Sequence, residues 1–175
     1  MNLSDLLRPI DLIFKKRQIR YVVIGGYAVA AWGEERATRD VDLLCAGDSR
    51  TVADALREEH LHFEHRIGDY DDPISEVIRI EIGADQNPFE IDVLIGIKGA
   101  PAGVFDRARI LIIDNLPIPV ASPEDVILLK LLGGSARDLE DAKSIFQIQG
   151  KRLDLNILRH FCPECVKDLL EKIMD

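Results

Sequence analysis

The stretch VVIGGYAVAAWGEERATRDVDLLC, residues 22–45, sets the fold: two glycines end one apolar run, and two aspartates stand inside another. RYVVIGG predicts a short buried strand, and the alanine-rich segment from Tyr27 to Trp32 predicts a helix that ends at Gly33. DVDLLCA predicts a second strand. A carboxylate in a core strand is costly unless a positive group meets it, so the identity of that group decides the function.

Two aspartates of the second strand are predicted to share one face. Residues two apart in a strand point the same way, so Asp40 and Asp42 face one layer while Val41 and Leu43 face the other. Asp92, within EIDVLI, has the same pattern of a polar residue between apolar ones. Each acid alone fits the solvated face of an edge strand. If the two strands are neighbours, the three carboxylates converge.

Converging carboxylates and the glycine pair predict a metal site that handles phosphate. Three close carboxylates need a counter-charge, so either their pKa values rise or cations bind among them. Their oxygen atoms suit magnesium, and two magnesium ions roughly 3.5–4 Å apart can bridge a substrate phosphate. Gly25 and Gly26 lie between a strand and a helix N-terminus, where backbone N–H groups can approach phosphate oxygens.

The rest of the chain predicts an α+β fold with a mixed, largely antiparallel sheet, flanking helices and a C-terminal helical segment. EVIRIEI and FEIDVLI alternate cleanly and predict an antiparallel hairpin, whereas residues 60–75 predict an irregular loop. A short helix is expected over residues 102–107. A helix start at Ser122 separates a core with an N-terminal helix, residues 1–121, from helices over residues 122–175. We expect the two parts to form one compact unit.

Composition narrows the class of protein. The 175 residues carry 22 Lys and Arg against 31 Asp and Glu, a net charge of −9, which disfavours sequence-independent binding to a nucleic-acid backbone. No apolar run approaches the roughly 20 residues that span a bilayer, and the first residues lack an uninterrupted signal-peptide core. We therefore expect a cytoplasmic protein without a membrane partner.

The sequence does not decide whether two further clusters, one of histidines and one of cysteines, bind a ligand. His60, His62 and His65 fit a solvated surface segment, and histidines at strand spacing also fit a shared ligand. Cys162 and Cys165 form a C-x-x-C pair, but no second pair completes a zinc site. Thiols beside a terminal helix are the plainer interpretation of that pair.

The combined motifs resemble the nucleotidyltransferase superfamily with the polymerase-beta-like fold. They are a G-G pair at a strand end, 13 intervening residues, D-V-D, and a third acid in I-D-V on a later strand. RATRDVD resembles the small prokaryotic branch that includes abortive-infection toxins and aminoglycoside or lincosamide nucleotidyltransferases. KLLGGSARDLEDAKSI, residues 130–145, resembles the later helical motif of that branch. The combination, over about residues 21–145, is more specific than any one part.

The resemblance implies roles for the strand acids and the glycines. Gly25 and Gly26 would hold the triphosphate, and Asp40 and Asp42 would bind both magnesium ions. Asp92 would bind the catalytic metal and act as, or stand in for, the base that deprotonates an acceptor hydroxyl. Mn²⁺ is the alternative to Mg²⁺.

The later motif implies a nucleotide contact from Lys130, with Asp138 or Asp141 orienting that lysine or the acceptor. Independently, Lys130 is the only charged residue in residues 126–132, so its ammonium group needs a counter-charge. A phosphate, one of these aspartates, or an extended path to water would each serve. The glycines at 133 and 134 predict a loose connection before Asp138.

Three further positions and one departure from the family pattern complete the site. Arg36 and Arg39 flank Thr38 before the first aspartate, and the two arginines fit either a contact with the nucleotide or substrate or surface ion pairs. Thr38 is a candidate nucleotide contact. The motif's lysine-aspartate pair is here arginine-aspartate, which changes the donor geometry at residue 137.

The implied function is magnesium-dependent transfer of a nucleoside monophosphate from a nucleoside triphosphate, such as ATP, to a hydroxyl, with release of pyrophosphate. The acceptor is left open among a small molecule, a tRNA end and a protein. The alternative is a non-catalytic nucleotide-binding or toxin-antitoxin interaction module that retains the fold. A partner protein or a homodimer is compatible with either function.

Overall fold

The structure, a computed structural model, describes residues 3–34, 38, 40–83 and 89–174. Its strands are β1 (Arg20–Val23), β2 (Asp40–Ala46), β3 (Phe63–Ile67), β4 (Ile74–Ile82), β5 (Phe89–Ile97), β6 (Arg109–Ile113) and β7 (Leu116–Val120). Its helices are α1 (Leu3–Lys16), α2 (Gly25–Trp32), α3 (Ser49–Glu58), α4 (Pro123–Gly133), α5 (Ala136–Gln149), α6 (Leu155–Phe161) and α7 (Lys167–Met174). No helix in these ranges is long and apolar enough to cross a bilayer.

One seven-stranded sheet has the order β3-β4-β5-β2-β1-β7-β6. Strands β4 and β5 form the antiparallel hairpin that their alternating pattern predicts. The pairs β2–β5 and β1–β7 are parallel, and the other four of the six pairings are antiparallel. The predicted α+β class with a mixed, largely antiparallel sheet is confirmed. The crossover places β2, the strand with two aspartates, directly beside β5.

Two local predictions were wrong. Residues 60–75, expected to be irregular, contain edge strand β3. Four of its five residues are exposed, so polar residues occupy both of its faces and the alternation that marks a half-buried strand is absent. Residues 102–107 form successive turns instead of a helix, and Gly103 adopts a φ of +79° that an α-helix does not accommodate.

The face of the sheet opposite the aspartates forms part of the core. Val41 and Leu43 of β2 and Ile91 and Val93 of β5 have no exposed surface. Because side chains alternate along a strand, burying these residues turns Asp40, Asp42 and Asp92 toward the other face. These four side chains belong to a single buried cluster that runs from Leu6 in α1 to Leu170 in α7.

The C-terminal helices are joined to the β1–α2 region by specific hydrogen bonds. Helix α4 begins at an N-cap serine, Ser122, whose hydroxyl accepts from the Asp125 N–H. The Trp32 indole donates to the backbone oxygen of Ala121 at 2.8 Å, and the Gln149 amide donates to the backbone oxygen of Trp32 at 2.5 Å. Helix α2 packs against β2, α4 and α5, so it joins the C-terminal helices to the strand that carries Asp40 and Asp42.

Candidate active site

Asp42 and Asp92 are direct partners in the parallel pairing of β2 and β5, and Asp40 is opposite Glu90. Partner residues in neighbouring strands project to the same face, so the structure brings Asp40, Asp42 and Asp92 to one surface. Their predicted roles as ligands and catalytic groups stay predictions. The sequence analysis assumed that the strands of Asp42 and Asp92 are neighbours, and the structure shows that they are.

Burial and neighbouring charges perturb the Asp42 carboxylate. Burial, followed by the charges of Asp40 and Asp92, raises its pKa from 3.8 to about 6. The charge of Lys130 and a hydrogen bond from the Gly26 backbone lower it, but they do not offset the first three effects. At this buried carboxylate the charges of Asp40 and Asp92 each act more strongly than the charge of Lys130.

The glycine pair packs directly against Asp42. Gly25 has a φ of +60°, and a Cβ atom on it would lie 1.8 Å from Asp42 Oδ2. Helix α2 begins at this residue, and the next amide, that of Gly26, donates to the Asp42 carboxylate. Both the backbone angle and the lack of space require glycine at position 25. The helix N-terminus thus faces the acidic surface, as the sequence predicts.

The Asp92 carboxylate is occupied by an arginine of the neighbouring strand. Arg79 Nε donates to Asp92 Oδ1 at 2.8 Å and Arg79 Nη2 donates to Asp92 Oδ2 at 2.7 Å. The third nitrogen, Nη1, lies 3.3 Å from Glu90 Oε2. Within the described ranges, no three His, Cys, Asp or Glu side chains are arranged as a metal-binding group. The three aspartates share a surface without forming a closed ligand cluster.

Asp40 is held by a neighbouring hydroxyl. Thr38 Oγ1 donates to Asp40 Oδ1 at 2.7 Å. Tyr27 of α2 lies close enough that its own burial and the Asp40 charge raise the pKa of its phenol. Arg36 and Arg39, which the sequence marks as candidate contacts, lie outside the described residues.

Lys130 pairs with both candidate aspartates. Its Nζ lies 2.8 Å from Asp138 Oδ1 and 2.9 Å from Asp141 Oδ2, and its side chain is 14% exposed. The sequence left three ways to satisfy the Lys130 ammonium group: a phosphate, an aspartate or a path to water. In the structure both aspartates pair with it. The ammonium group also lowers the pKa of Asp42, so it lies within electrostatic reach of the acidic surface.

Asp138 is fixed by the turn between α4 and α5, which the sequence predicts to be loose. Ser135 Oγ donates to Asp138 Oδ2 at 2.6 Å, and the Asp138 N–H donates back to that hydroxyl. Gly134 ends α4 in the left-handed conformation, and a Cβ on Gly133 would lie 2.7 Å from Asp138 Oδ2. The expectation of a loose connection is wrong: the glycines allow a tight turn and a close carboxylate.

A cleft of about 250 Å³ lies beside Asp42, the one of the three aspartates that lines it. Its polar end contains Gly25, Asp42, Lys130 and Asp138, and Lys98 is a further charged group in the lining. The rest of the lining is mainly apolar side chains of the sheet and of α4, namely Ile74, Leu94, Ile97, Val126, Leu129 and Leu132. A cleft with one polar end and one apolar wall suits a ligand that joins a charged group to a flat apolar one.

The histidine and cysteine clusters do not form ligand sites in the described part of the chain. His65 Nε2 lies 2.7 Å from Glu76 Oε2, a pairing on the outer strands of the sheet. His62 lines a different pocket, of about 240 Å³, beside β3. Cys162 is buried and Cys165 is exposed, so the two thiols have different environments.

Sequence reasoning missed Arg79 and Tyr27. Arg79 stands in EVIRIEI on the polar face of the hairpin, a signal that was visible in the alternation. Placing it opposite Asp92 requires the hairpin register, which alternation alone does not give. Tyr27 follows the glycine pair by one residue, and its proximity to Asp40 depends on the crossing of α2 and β2.

A family model described as "Nucleotidyltransferase of unknown function (DUF6036)" matches residues 1–173. A comparison with curated proteins finds no significant match. Among solved structures, the antibiotic-resistance factor ANT(2'')-Ia has a TM-score of 0.62 at 14% identity, over 98% of this chain and 94% of that chain. An antigenic nucleotidyltransferase-like protein from Paracoccidioides brasiliensis gives 0.58 at 16%, over 98% and 92%.

The lincosamide antibiotic adenylyltransferase LnuA has a TM-score of 0.51 at 15% identity, over 85% of this chain and 98% of that chain. At such identities the structural likeness shows the fold alone. It is the fold that the glycine pair, the D-V-D motif and the later helical motif predict.

Proposed function

This chain belongs to the DUF6036 family of nucleotidyltransferases, and on that basis we propose that it transfers a nucleoside monophosphate from a nucleoside triphosphate to a hydroxyl acceptor, releasing pyrophosphate. One observation carries the proposal. The Asp42 carboxylate, packed on Gly25 and paired in register with Asp92, stands at the polar end of a cleft whose other wall is apolar. Phosphates at the polar end and a base on the apolar wall would fill such a cleft.

The donor set fits magnesium. Asp40, Asp42 and Asp92 offer hard carboxylate oxygens. Burial and the charges of Asp40 and Asp92 together raise the Asp42 pKa, and a divalent cation would balance those charges. We propose that these three residues hold two Mg²⁺ ions, with Mn²⁺ as the alternative. When bound, the ions supply positive charge to the phosphate oxygens during displacement.

The protein groups around the cleft have separate tasks in this proposal. The α2 N-terminus at Gly25 and Gly26 faces the triphosphate, since amide groups and the helix dipole favour negative charge. The Lys130 ammonium group, already paired with two carboxylates, also contacts a phosphate oxygen. Asp138, held by the turn, keeps that ammonium group in place. We assign Thr38 to hold Asp40 and Arg39 to approach the nucleotide.

The chemical step is an in-line displacement at the first phosphorus of the triphosphate. The acceptor oxygen forms a bond to that phosphorus, and the bond to the bridging oxygen of pyrophosphate breaks. Asp92, whose two oxygens each accept one hydrogen bond from Arg79 in the structure, takes the proton of the acceptor hydroxyl.

The acceptor is proposed as a class. A solved structure of ANT(2'')-Ia is described as a complex with adenylyl-2''-tobramycin, and one of LnuA as lincomycin-bound. Those ligands belong to those proteins. For this chain, the net charge of −9 favours a hydroxyl-bearing small molecule or a protein side chain over a tRNA end.

The test is transfer of label. The protein is incubated with each of four nucleoside triphosphates labelled at the first phosphate, with Mg²⁺ and either cell extract or a panel of hydroxyl-bearing small molecules. We expect a labelled product from the native chain and from Asp106→Asn, which alters an exposed carboxylate paired with Arg20. We expect none from Asp42→Asn. Equal labelling by Asp42→Asn would contradict the proposal.

A second candidate, a nucleotide-binding module without turnover, is favoured by one observation. Arg79 holds both oxygens of Asp92, so the third carboxylate is engaged by protein in the structure. This candidate predicts that a nucleoside triphosphate with Mg²⁺ raises the melting temperature while no acceptor is ever labelled. The proposed enzyme predicts both effects.

A further inference from the structure

We propose that Arg79 is a positioning residue that gates Asp92: a divalent cation must displace its guanidinium group before Asp92 can serve as a ligand or accept a proton. The inference rests on the proposed function, because it assigns Asp92 to the metal site. It adds a residue that neither the glycine pair nor the aspartates identify.

The contact is of the kind that competes with a metal. Two nitrogens of one guanidinium group bind the two oxygens of one carboxylate at 2.8 and 2.7 Å. This parallel pair is stronger than a single charged hydrogen bond and leaves no Asp92 oxygen without an arginine partner. Asp92 is only 14% exposed, so the pair is poorly screened by water.

The surroundings provide a second position for the guanidinium group. Arg79 Nη1 is already 3.3 Å from Glu90 Oε2, and Arg79 also lines a pocket of about 240 Å³ with Glu64 and Glu81. An arginine released from Asp92 therefore keeps Glu90 as a partner, with Glu64 and Glu81 lining the same pocket. Two favourable positions for one cation are what a gate needs, because displacement then leaves no charge unpaired.

The gate predicts that removing Arg79 tightens cation binding. Arg79→Gln takes away one positive charge and releases both Asp92 oxygens, so we expect Mn²⁺ alone to bind about tenfold more tightly, as measured by electron paramagnetic resonance at pH 7.5. Arg79→Lys keeps the charge but not the paired geometry, and its Mn²⁺ affinity should lie between the two. Circular dichroism and thermal melting report whether each variant is folded.

Two controls isolate the role of Asp92. Arg20→Gln removes an exposed arginine of β1, paired with Asp106 by a single nitrogen, and should leave Mn²⁺ affinity within about twofold. The double variant Arg79→Gln/Asp92→Asn is compared with Asp92→Asn alone. Arg79→Gln changes the logarithm of the Mn²⁺ affinity by a certain amount in the native chain. If the gate acts through Asp92, the same substitution in the Asp92→Asn background should change that logarithm by about half as much or less.

The outcomes separate the inference from the proposed function. Unchanged or weaker Mn²⁺ binding by Arg79→Gln overturns the gate, and so does equal tightening with and without the Asp92 carboxylate. Either result leaves the proposed function standing if native Mn²⁺ binding is lost in Asp42→Asn. Native protein without any Asp42-dependent Mn²⁺ binding would instead overturn the proposed metal centre, and the gate with it.

Discussion

Gly25 and Asp42 are packed so closely that a Cβ atom on residue 25 would stand 2.6 Å from Asp42 Cγ and closer still to one carboxylate oxygen. The backbone of Gly25 also has a positive φ, which a side chain disfavours by roughly 1–2 kcal/mol. The glycine therefore sets the position of the carboxylate in the cleft, in addition to forming the turn into α2.

We expect Gly25→Ala to lower transferase activity by about a hundredfold or more, because a catalytic group displaced by about 1 Å costs that much. The control is Gly150→Ala. Gly150 also has a positive φ, +49°, with no atom near its would-be Cβ, so it tests an alanine at positive φ without the collision. Activity is measured per folded molecule. Gly25→Ala activity as high as that of Gly150→Ala would contradict the effect of the collision with Asp42.

The raised pKa of Asp42 predicts that this residue costs stability. The folded-state pKa is about 6 and the ordinary value is 3.8, so the folded protein binds the proton more tightly than the unfolded chain does. The contribution of this group to the free energy of unfolding is fully present below pH 4 and is lost as pH rises through 6. At 1.36 kcal/mol per unit of pKa shift, the loss reaches about 3 kcal/mol.

In EDTA, Asp42→Asn should therefore be more stable than the native chain at pH 8, by up to about 3 kcal/mol, with the gap narrowing toward pH 4.5. Urea unfolding across that range measures it. Asp106→Asn, at an exposed ion pair, should show no such trend. A pH-independent difference between Asp42→Asn and the native chain would contradict the assigned pKa.

The Lys130 pairs predict different consequences for the two ends of the contact. Lys130→Gln leaves Asp138 and Asp141 without their shared cation, and we expect a loss of about 2–3 kcal/mol in the free energy of unfolding. Nucleotide affinity should also fall about tenfold if the ammonium group contacts a phosphate. Asp138→Asn keeps the ammonium group, so nucleotide affinity should change by only a few-fold.

Titration with a fluorescent nucleoside triphosphate measures the affinities, and Lys143→Gln, at an exposed lysine of α5, serves as the control. Equal losses of affinity in Lys130→Gln and Asp138→Asn would indicate that the pair shapes the cleft and that the lysine does not bind phosphate.

Local sequence patterns were sufficient for the elements that bear the site. Strand β2, the β4–β5 hairpin and the capped start of α4 have strong periodic or capping signals, and the structure contains each of them. The spacing of Asp40 and Asp42 fixes a shared face because the side-chain period of a strand is two. These features depend only on residues near in sequence.

The features that local sequence patterns could not determine depend on long-range pairing. Asp92 lies beside Asp42 because β5 crosses to pair with β2, and Arg79 reaches Asp92 because of the hairpin register. A shift of one residue would have turned Arg79 to the opposite face. Edge strand β3 was missed because its residues are polar on both sides, a consequence of its position at the sheet margin.

The division of the chain at residue 121 leads to a last prediction, that residues 1–121 do not fold alone. Val126, Ile127 and Leu128 of α4 are at most 1% exposed, and each contributes roughly 1.5–3 kcal/mol by burial against the rest of the core. We expect the fragment to lack a cooperative melt and to bind a hydrophobic dye. Residues 167–175 bury less apolar surface than the whole segment from α4 onward. Deleting them should therefore lower the melting temperature and leave a cooperative transition. A cooperative melt of the 1–121 fragment would show instead that the sheet and α1–α3 form an independent domain, because a cooperative transition requires a core that is complete without α4.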